Sequence, residues 1–333
     1  MGSNGQGKTN VLEALFLLAI SKSFRSPENL DMVGFDQEFL SIAGALSKAD
    51  EEQKLEVIIT REPPKKTLKI NGGVKKAADY IGNMTTVFFS PDEIGMIHLA
   101  PSLRRRYLDL LLSQLDRSYL TAALKYQSVN RQRNSLLRQI GQGQRPESEL
   151  DFWDHELSET GFFLISKRQE MLKKISRFAA EFYPTVTREP DDLKIEYRSS
   201  INNVENSESF FELLQKNHAK DIAEGSGRLG PHRDDLRFWN NGHDMASFGS
   251  RGEWRSLVLT LKFAEIELLK EKTGEQPILL LDDVFSELDE ARQKTLFNSI
   301  RDCQTFVTTT HREFLGVIEA EKQIFEVKNG ELL

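Results

Sequence analysis

The stretch GSNGQGKT, residues 2–9, decides the fold. It satisfies the pattern G-x-x-x-x-G-K-[ST] at every fixed position, through Gly2, Gly7, Lys8 and Thr9. Glycines let consecutive backbone N–H groups turn toward one anion, and a helix starting directly behind them points the positive end of its dipole at the same place. Gly2, Ser3, Asn4, Gly5, Gln6, Gly7, Lys8 and Thr9 are therefore candidates for wrapping a phosphate chain. Lys8 would reach the β- and γ-phosphates of ATP, and the Thr9 hydroxyl would ligate Mg2+. A glycine-rich turn before a helix also occurs without any ligand, so the reading needs support elsewhere in the chain.

That support begins at ILLLDD, residues 278–283, a hydrophobic strand ending in two carboxylates. The apolar residues bury the strand, so the acids emerge at its carboxyl end, where open α/β sheets bind ligands. In this Walker B pattern Asp282 would hold Mg2+, directly or through water, and Asp283 would polarise the attacking water. Asp283 or Ser286 would equally suit the cap of the helix expected after Leu288, and the two roles are compatible.

Three further segments fall where ABC ATPases carry their remaining motifs. SELD, residues 286–289, stands in the place of the D-loop, with Ser286 and Asp289 as its polar ends. GSRGE, residues 249–253, opens an apolar helix upstream of the two acids, the place of the signature. In that architecture the signature of one subunit closes over the nucleotide of its partner. Ser250, Arg251, Gly252 and Glu253 would then face ATP in trans. Alone, GSRGE is also an ordinary helix cap, and only its order among the other motifs makes it specific. His311 follows the strand-type run FVTTT, the placement of the switch histidine that senses the γ-phosphate. Asp283 and His311 are thus the candidate catalytic pair.

At 333 residues the chain is long enough for two packed lobes with separate cores. It contains no run of about 18 apolar residues, so no spanning helix is expected. The apolar run at residues 11–20 is short and lacks a basic leader and a cleavage site, so it reads as a buried helix rather than a signal peptide. The single cysteine, Cys303, cannot form an internal disulfide, which fits a reducing cytoplasm. A net charge of −7 argues against a broadly basic surface but leaves room for a local patch.

The texture along the chain suggests an α/β fold with mixed sheet and an inserted helical lobe. Strand-type runs FLSIAGAL, KLEVIIT and TLKI precede an Asn71-Gly72 hairpin signal, and residues 84–89 read as another strand. Residues 101–138 keep one helical pattern, and a second long helix is expected from about residue 150 to Phe182, stopped by Tyr183-Pro184. These suit an antiparallel pair. Residues 1–90 are assigned to the N-terminal part of the ATPase lobe, 91–190 to the helical lobe, and 191–333 to the C-terminal part of the ATPase lobe.

With these motifs in order, the chain resembles the RecF family over nearly its whole length. FFSPDEIGMIHLAPSLRRRYLDLLLSQLD (residues 88–116), GPHRDDLRF (residues 230–238), SFGSRGEWRSLVLTLKFAE and LLLDDVFSELD carry the likeness. The resemblance implies an ABC-type ATPase lobe beside a helical lobe, without long coiled coils. It further implies an ATP-dependent homodimer that binds gapped or branched DNA, with slow, DNA-stimulated ATP turnover if the N-terminus is complete. With RecO and RecR, such a protein helps load RecA onto single strands in recombinational repair and replication restart. The family likeness places no Q-loop glutamine here; Asp92 and Glu93 lie near that position. RecF relatives also carry residues before the P-loop, including a buried strand. Met1 is accordingly read as an internal methionine or a boundary inside a longer protein.

DNA contacts are expected from the most basic segment, residues 101–140, through Arg104, Arg105, Lys125, Arg131, Arg133 and Arg138. Lys and Arg on one face would supply sequence-independent, salt-sensitive affinity for phosphates. Three successive helical residues point in three directions, so the run at Arg104, Arg105 and Arg106 suits this least. A transporter ATPase would lack so large a helical insert. A chromosome organiser of the SMC type would need long heptad arrays between P-loop and signature, and none exists. A non-hydrolysing DNA clamp, or an inactive truncated ATPase, is the alternative left open.

Overall fold

The computed structural model describes residues 1–26, 28–48, 51–202, 204–311 and 321–333. The chain forms two compact units. The first comprises residues 1–94, 181–191 and 250–333, and the second 95–180 and 192–249. Residues 192–249, expected in the ATPase lobe, thus fall in the other unit.

The first unit begins with α1 (Lys8–Ile20), which starts after Gly7 in a left-handed conformation and ends at Ser21, whose N–H bonds the Leu17 carbonyl. Leu12, Phe16, Leu17, Leu18 and Ile20 are all buried, so this helix is enclosed rather than amphipathic. Strands β1 (Phe39–Lys48), β2 (Glu51–Thr60), β3 (Lys65–Ile70) and β4 (Gly73–Lys75) form an antiparallel sheet in chain order. Leu55, Val57 and Ile59 alternate inward along β2. Asn71 and Gly72 take φ of 50° and 78°, the positive values that a two-residue hairpin turn demands. After the short α2 (Ala77–Tyr80), β5 (Thr86–Phe89) is buried at every residue.

The second unit opens with α3 (Gly95–His98), α4 (Pro101–Leu115) and α5 (Arg117–Gly141). The single helix expected over residues 101–138 is broken at Asp116, which is extended and caps α5 by accepting from the Ser118 and Tyr119 N–H groups. Helix α6 (Leu150–Thr187) runs through Pro184 instead of stopping there. Pro184 lacks the N–H that would bond the Ala180 carbonyl, so the helix gives up one bond there, and buried Tyr183 and Val186 hold the last turn to the core. Then come β6 (Leu193–Arg198), α7 (Ser207–Lys216), α8 (His218–Glu224), β7 (Asp235–Asn240), β8 (His243–Asp244) and α9 (Met245–Phe248), with the three strands pairing antiparallel.

The chain returns to the first unit with α10 (Arg251–Thr273), β9 (Ile278–Asp282), α11 (Glu290–Ser299), β10 (Thr305–Thr308), β11 (Val327–Lys328) and β12 (Glu331–Leu332). Strand β9 lies between β10 and β5, parallel to both. Leu279, Leu280 and Leu281 are almost fully buried, as a central parallel strand requires. Among the described residues no helix is long and apolar enough to cross a membrane.

Candidate nucleotide site

The loop before α1 depends on its glycines. Gly5 and Gly7 take φ of 78° and 102°, values that a side chain resists. A Cβ on Gly7 would come within 3.2 Å of the Gly330 Cα, and one on Gly2 within 2.4 Å of the Val327 carbonyl oxygen. The β11–β12 hairpin packs that closely because the Gly330 N–H donates to the Gln6 carbonyl (2.9 Å) and the Asn329 N–H to Gln6 Oε1 (2.8 Å). Lys8 Nζ curls into the loop, donating to the carbonyls of Gly2 (2.8 Å) and Ser3 (2.9 Å).

Buried β9 delivers Asp282 to the first turn of α1. Thr9 Oγ1 donates to Asp282 Oδ1 at 3.1 Å, and Thr308 Oγ1 donates to the same oxygen at 2.5 Å. Thr308 also accepts the Asp283 N–H, at its carbonyl (3.1 Å) and its hydroxyl (3.2 Å), fixing both acids from β10. Thr308 escaped the motif reading. The only trace of it in sequence is a polar run, VTTT, at the end of a strand.

Asp283 has a left-handed φ of 51°, and its Oδ1 is buried without a hydrogen-bond partner. Burial pushes its carboxyl above the usual carboxylate range and the Asp282 charge adds to this, while Lys8, His311 and Ser286 pull the other way. A strained, partly desolvated carboxylate with an unused oxygen is a recurrent feature of catalytic positions. His311 is close enough to act on it electrostatically, and its N–H is held by Thr309 Oγ1 at 3.1 Å. A glycine cradle, a lysine ammonium, a hydroxyl and two carboxylates form a donor set suited to ATP with Mg2+.

The signature residues form a capping box at the start of α10: Glu253 N–H donates to Ser250 Oγ (3.2 Å), and Ser250 N–H to Glu253 Oε2 (2.8 Å). Arg251 is exposed and Gly252 half-buried in the first turn. In the D-loop, Ser286 Oγ donates to the Asp283 carbonyl at 2.7 Å. The helix after Leu288 is capped by Asp289, through the Arg292 N–H at 2.9 Å, and not by Asp283 or Ser286. Near the position of a Q-loop, Asp92 is exposed, whereas Glu93 pairs with buried Lys262 of α10 at 2.7 Å.

The expected DNA surface is corrected at two residues. Arg133 is fully buried, bonded to Asp154 (2.5 Å) and Asp221 (2.8 Å). Arg104 is 3% exposed, bonded to Asp235 (2.7 Å) and to the Met96 and Ile97 carbonyls. Both neutralise acids distant in sequence, so neither offers its charge to a phosphate. Arg105 is half-buried and donates to the Asp234 carbonyl at 2.7 Å. Lys125 is exposed but paired with Glu156. Arg131 and Arg138 are exposed.

Two exposed guanidiniums outside the basic segment join them. Asn134 Oδ1 accepts the Gly227 N–H (2.8 Å), the Gly227 carbonyl accepts from Arg233 (3.1 and 2.9 Å), and Arg138 reaches the Gly225 carbonyl (3.4 Å). The loop carrying Arg228 and Arg233 is thereby pinned to the face of α5 that bears Arg131 and Arg138.

Comparison with known proteins finds similarity over nearly the whole chain. Residues 1–332 match the family of the RecF/RecN/SMC N terminal domain. DNA replication and repair protein RecF from several Streptococcus pneumoniae strains is 38% identical over 336 residues, covering 99% of this chain and 90% of the relative. Solved structures of the recombination mediator protein RecF of the RecFOR pathway, with ATP and with ATPrS, superpose with a TM-score of 0.90 at 34% identity. They cover 99% of this chain and 89% and 90% of theirs, respectively. An Smc head domain from Pyrococcus furiosus, at 14% identity and a TM-score of 0.51 over 99% of this chain and 87% of its own, shares the fold. The fold is that of an ABC-type ATPase lobe with a helical insert.

Proposed function

Because the chain belongs to the RecF family, we propose that it is an ATP-switched DNA-repair factor whose working form is a homodimer with two composite nucleotide sites. The P-loop amides and Lys8 hold the phosphates of ATP. Thr9 and Asp282 are the residues that would hold Mg2+, which on binding neutralises charge developing on the transferred phosphoryl group. Asp283 orients and deprotonates the attacking water, and His311 senses the γ-phosphate. Ser250, Arg251, Gly252 and Glu253 of the partner close the site, so ATP acts as the dimer's adhesive and hydrolysis releases it.

On this reading, DNA phosphates meet Arg131 and Arg138, with Arg233 beside them, and Arg228 and Lys125 contribute once freed from Glu224 and Glu156. No base edges are read, so affinity tracks charge rather than sequence. The relatives' place in the RecFOR pathway supports RecO and RecR as partners and RecA loading at gapped DNA as the outcome. The observation that carries the proposal is the meeting of Thr9 and Asp282 beside Asp283, whose Oδ1 is buried without a partner. Steady-state ATP turnover with and without gapped DNA tests it. Turnover stimulated by DNA and abolished in Asp283→Asn is the expected result; ATP binding without turnover would make the protein a clamp instead.

A further inference from the structure

The first turns of α10 and the D-loop are cross-linked by one side chain. Arg292 donates to Ser256 Oγ from Nε (3.1 Å) and from Nη2 (2.8 Å). Its third nitrogen, Nη1, pairs with the Asp289 carboxylate, which also caps α11 through the Arg292 N–H. Ser256 is fully buried, and its hydroxyl donates to the carbonyl of the signature glycine, Gly252, at 3.1 Å. One donated and two accepted bonds exhaust what a hydroxyl can make. An unbroken chain of hydrogen bonds thus runs from Gly252 through Ser256 and Arg292 to Asp289.

Two neighbours brace the same junction. Arg255 of α10 pairs with Glu287 in the D-loop. Gln293 Nε2 donates to the carbonyls of Phe285 and Leu288, both at 2.9 Å, closing the D-loop turn from the α11 side. A planar fork can serve a hydroxyl and a carboxylate in different directions at once, which a lysine ammonium on a flexible stem does poorly.

We propose that Arg292 is a positioning residue that locks the signature turn and the D-loop of one protomer into a single block, presented in fixed register to the partner's nucleotide. This rests on the reading that the signature acts in trans. Arg292 touches neither nucleotide nor reacting atoms, and its effect is exerted through Gly252 and Asp289.

The test uses the full chain with Arg292→Ala, Arg292→Lys, Ser256→Ala and Asp283→Asn. Arg292→Ala should bind Mg-ATP within about twofold of wild type, yet lose at least about tenfold in kcat and in ATP-dependent dimerisation. Arg292→Lys should not restore kcat. Ser256→Ala should lower kcat in the same direction, and its double variant with Arg292→Ala should fall no further than Arg292→Ala alone.

The deciding arm mixes Arg292→Ala with Asp283→Asn protein before adding ATP. A mixed dimer holds one site with an intact P-loop and Walker B pair from the first protomer and an intact signature block from the second. Turnover should rise well above that of either variant alone. A loss of Mg-ATP affinity in Arg292→Ala with no gain on mixing would mean that Arg292 merely supports its own protomer, and would overturn the proposal. Wild-type protein that neither dimerises nor turns over ATP would instead sink the composite-site reading beneath it.

Discussion

Thr9 and Asp282 lie 273 positions apart in the chain, yet Thr9 Oγ1 donates to Asp282 Oδ1 at 3.1 Å. The contact exists because α1 and β9 are both buried and β9 is central in its sheet, so the P-loop helix and the Walker B acids are fixed to a common core. Two oxygens so placed can share one hard cation.

This relationship predicts a selective loss. Thr9→Ala and Asp282→Ala should each weaken binding of ATP in the presence of Mg2+ by at least about tenfold, the scale of a damaged metal shell. Binding in EDTA should change little, because the phosphate contacts proposed for Lys8 and the loop amides are untouched. Titration calorimetry with and without Mg2+ checks this; equal losses under both conditions would mean that these oxygens only hold the loop.

Much of this site was legible because its motifs are local. The P-loop and ILLLDD each place their chemistry within a few residues, and Asn71-Gly72 announces its hairpin in two. Contacts between distant segments were not legible. Arg104 and Arg133 read as surface charge because their partners lie far along the chain: Asp235 is 131 residues from Arg104, and Asp221 is 88 from Arg133. The roles of Thr308 and Arg292 likewise depend on which strand and helix end up adjacent. Pro184 misled for the opposite reason: a local helix-breaking signal was overridden by tertiary packing of the turn around it.

The buried arginine and its exposed neighbours should behave in opposite ways. Arg133→Ala would leave buried Asp154 with only His218 and Asp221 with only the Arg228 N–H, and cost about 3–5 kcal/mol of stability. Charge reversal at Arg131 and Arg138 should change stability by no more than about 0.5 kcal/mol. The same double reversal should weaken DNA binding and flatten the slope of log K against log salt by about two, one per phosphate contact. Chemical denaturation and a salt series of DNA titrations read the two effects separately; an unchanged slope would remove this face from the DNA surface.

A pH signature is expected from Glu265, which burial pushes up to about 7 despite the attraction of Lys262, with Glu93 adding repulsion. Glu93 is the closer partner of Lys262, at 2.7 Å against 3.3 Å for Glu265. The folded value of Glu265 lies above its unfolded one, so the folded state binds the proton more tightly. Stability is therefore lost as pH rises from the unfolded value, 4.5, through about 7. Glu265→Gln should remove that slope, gaining up to about 3 kcal/mol relative to wild type across the window. Parallel pH profiles of the two proteins would contradict the assignment.

The central claim, an ATP-bridged homodimer with composite sites, is tested most directly by light scattering on Asp283→Asn. This variant keeps the P-loop, Thr9 and Asp282 but lacks the carboxylate proposed to activate water, so it should be monomeric without nucleotide and fully dimeric at saturating Mg-ATP. Lys8→Met, which removes the ammonium proposed to hold the phosphates, should stay monomeric in both conditions. Asp283→Asn protein that binds Mg-ATP and still scatters as a monomer would contradict the account.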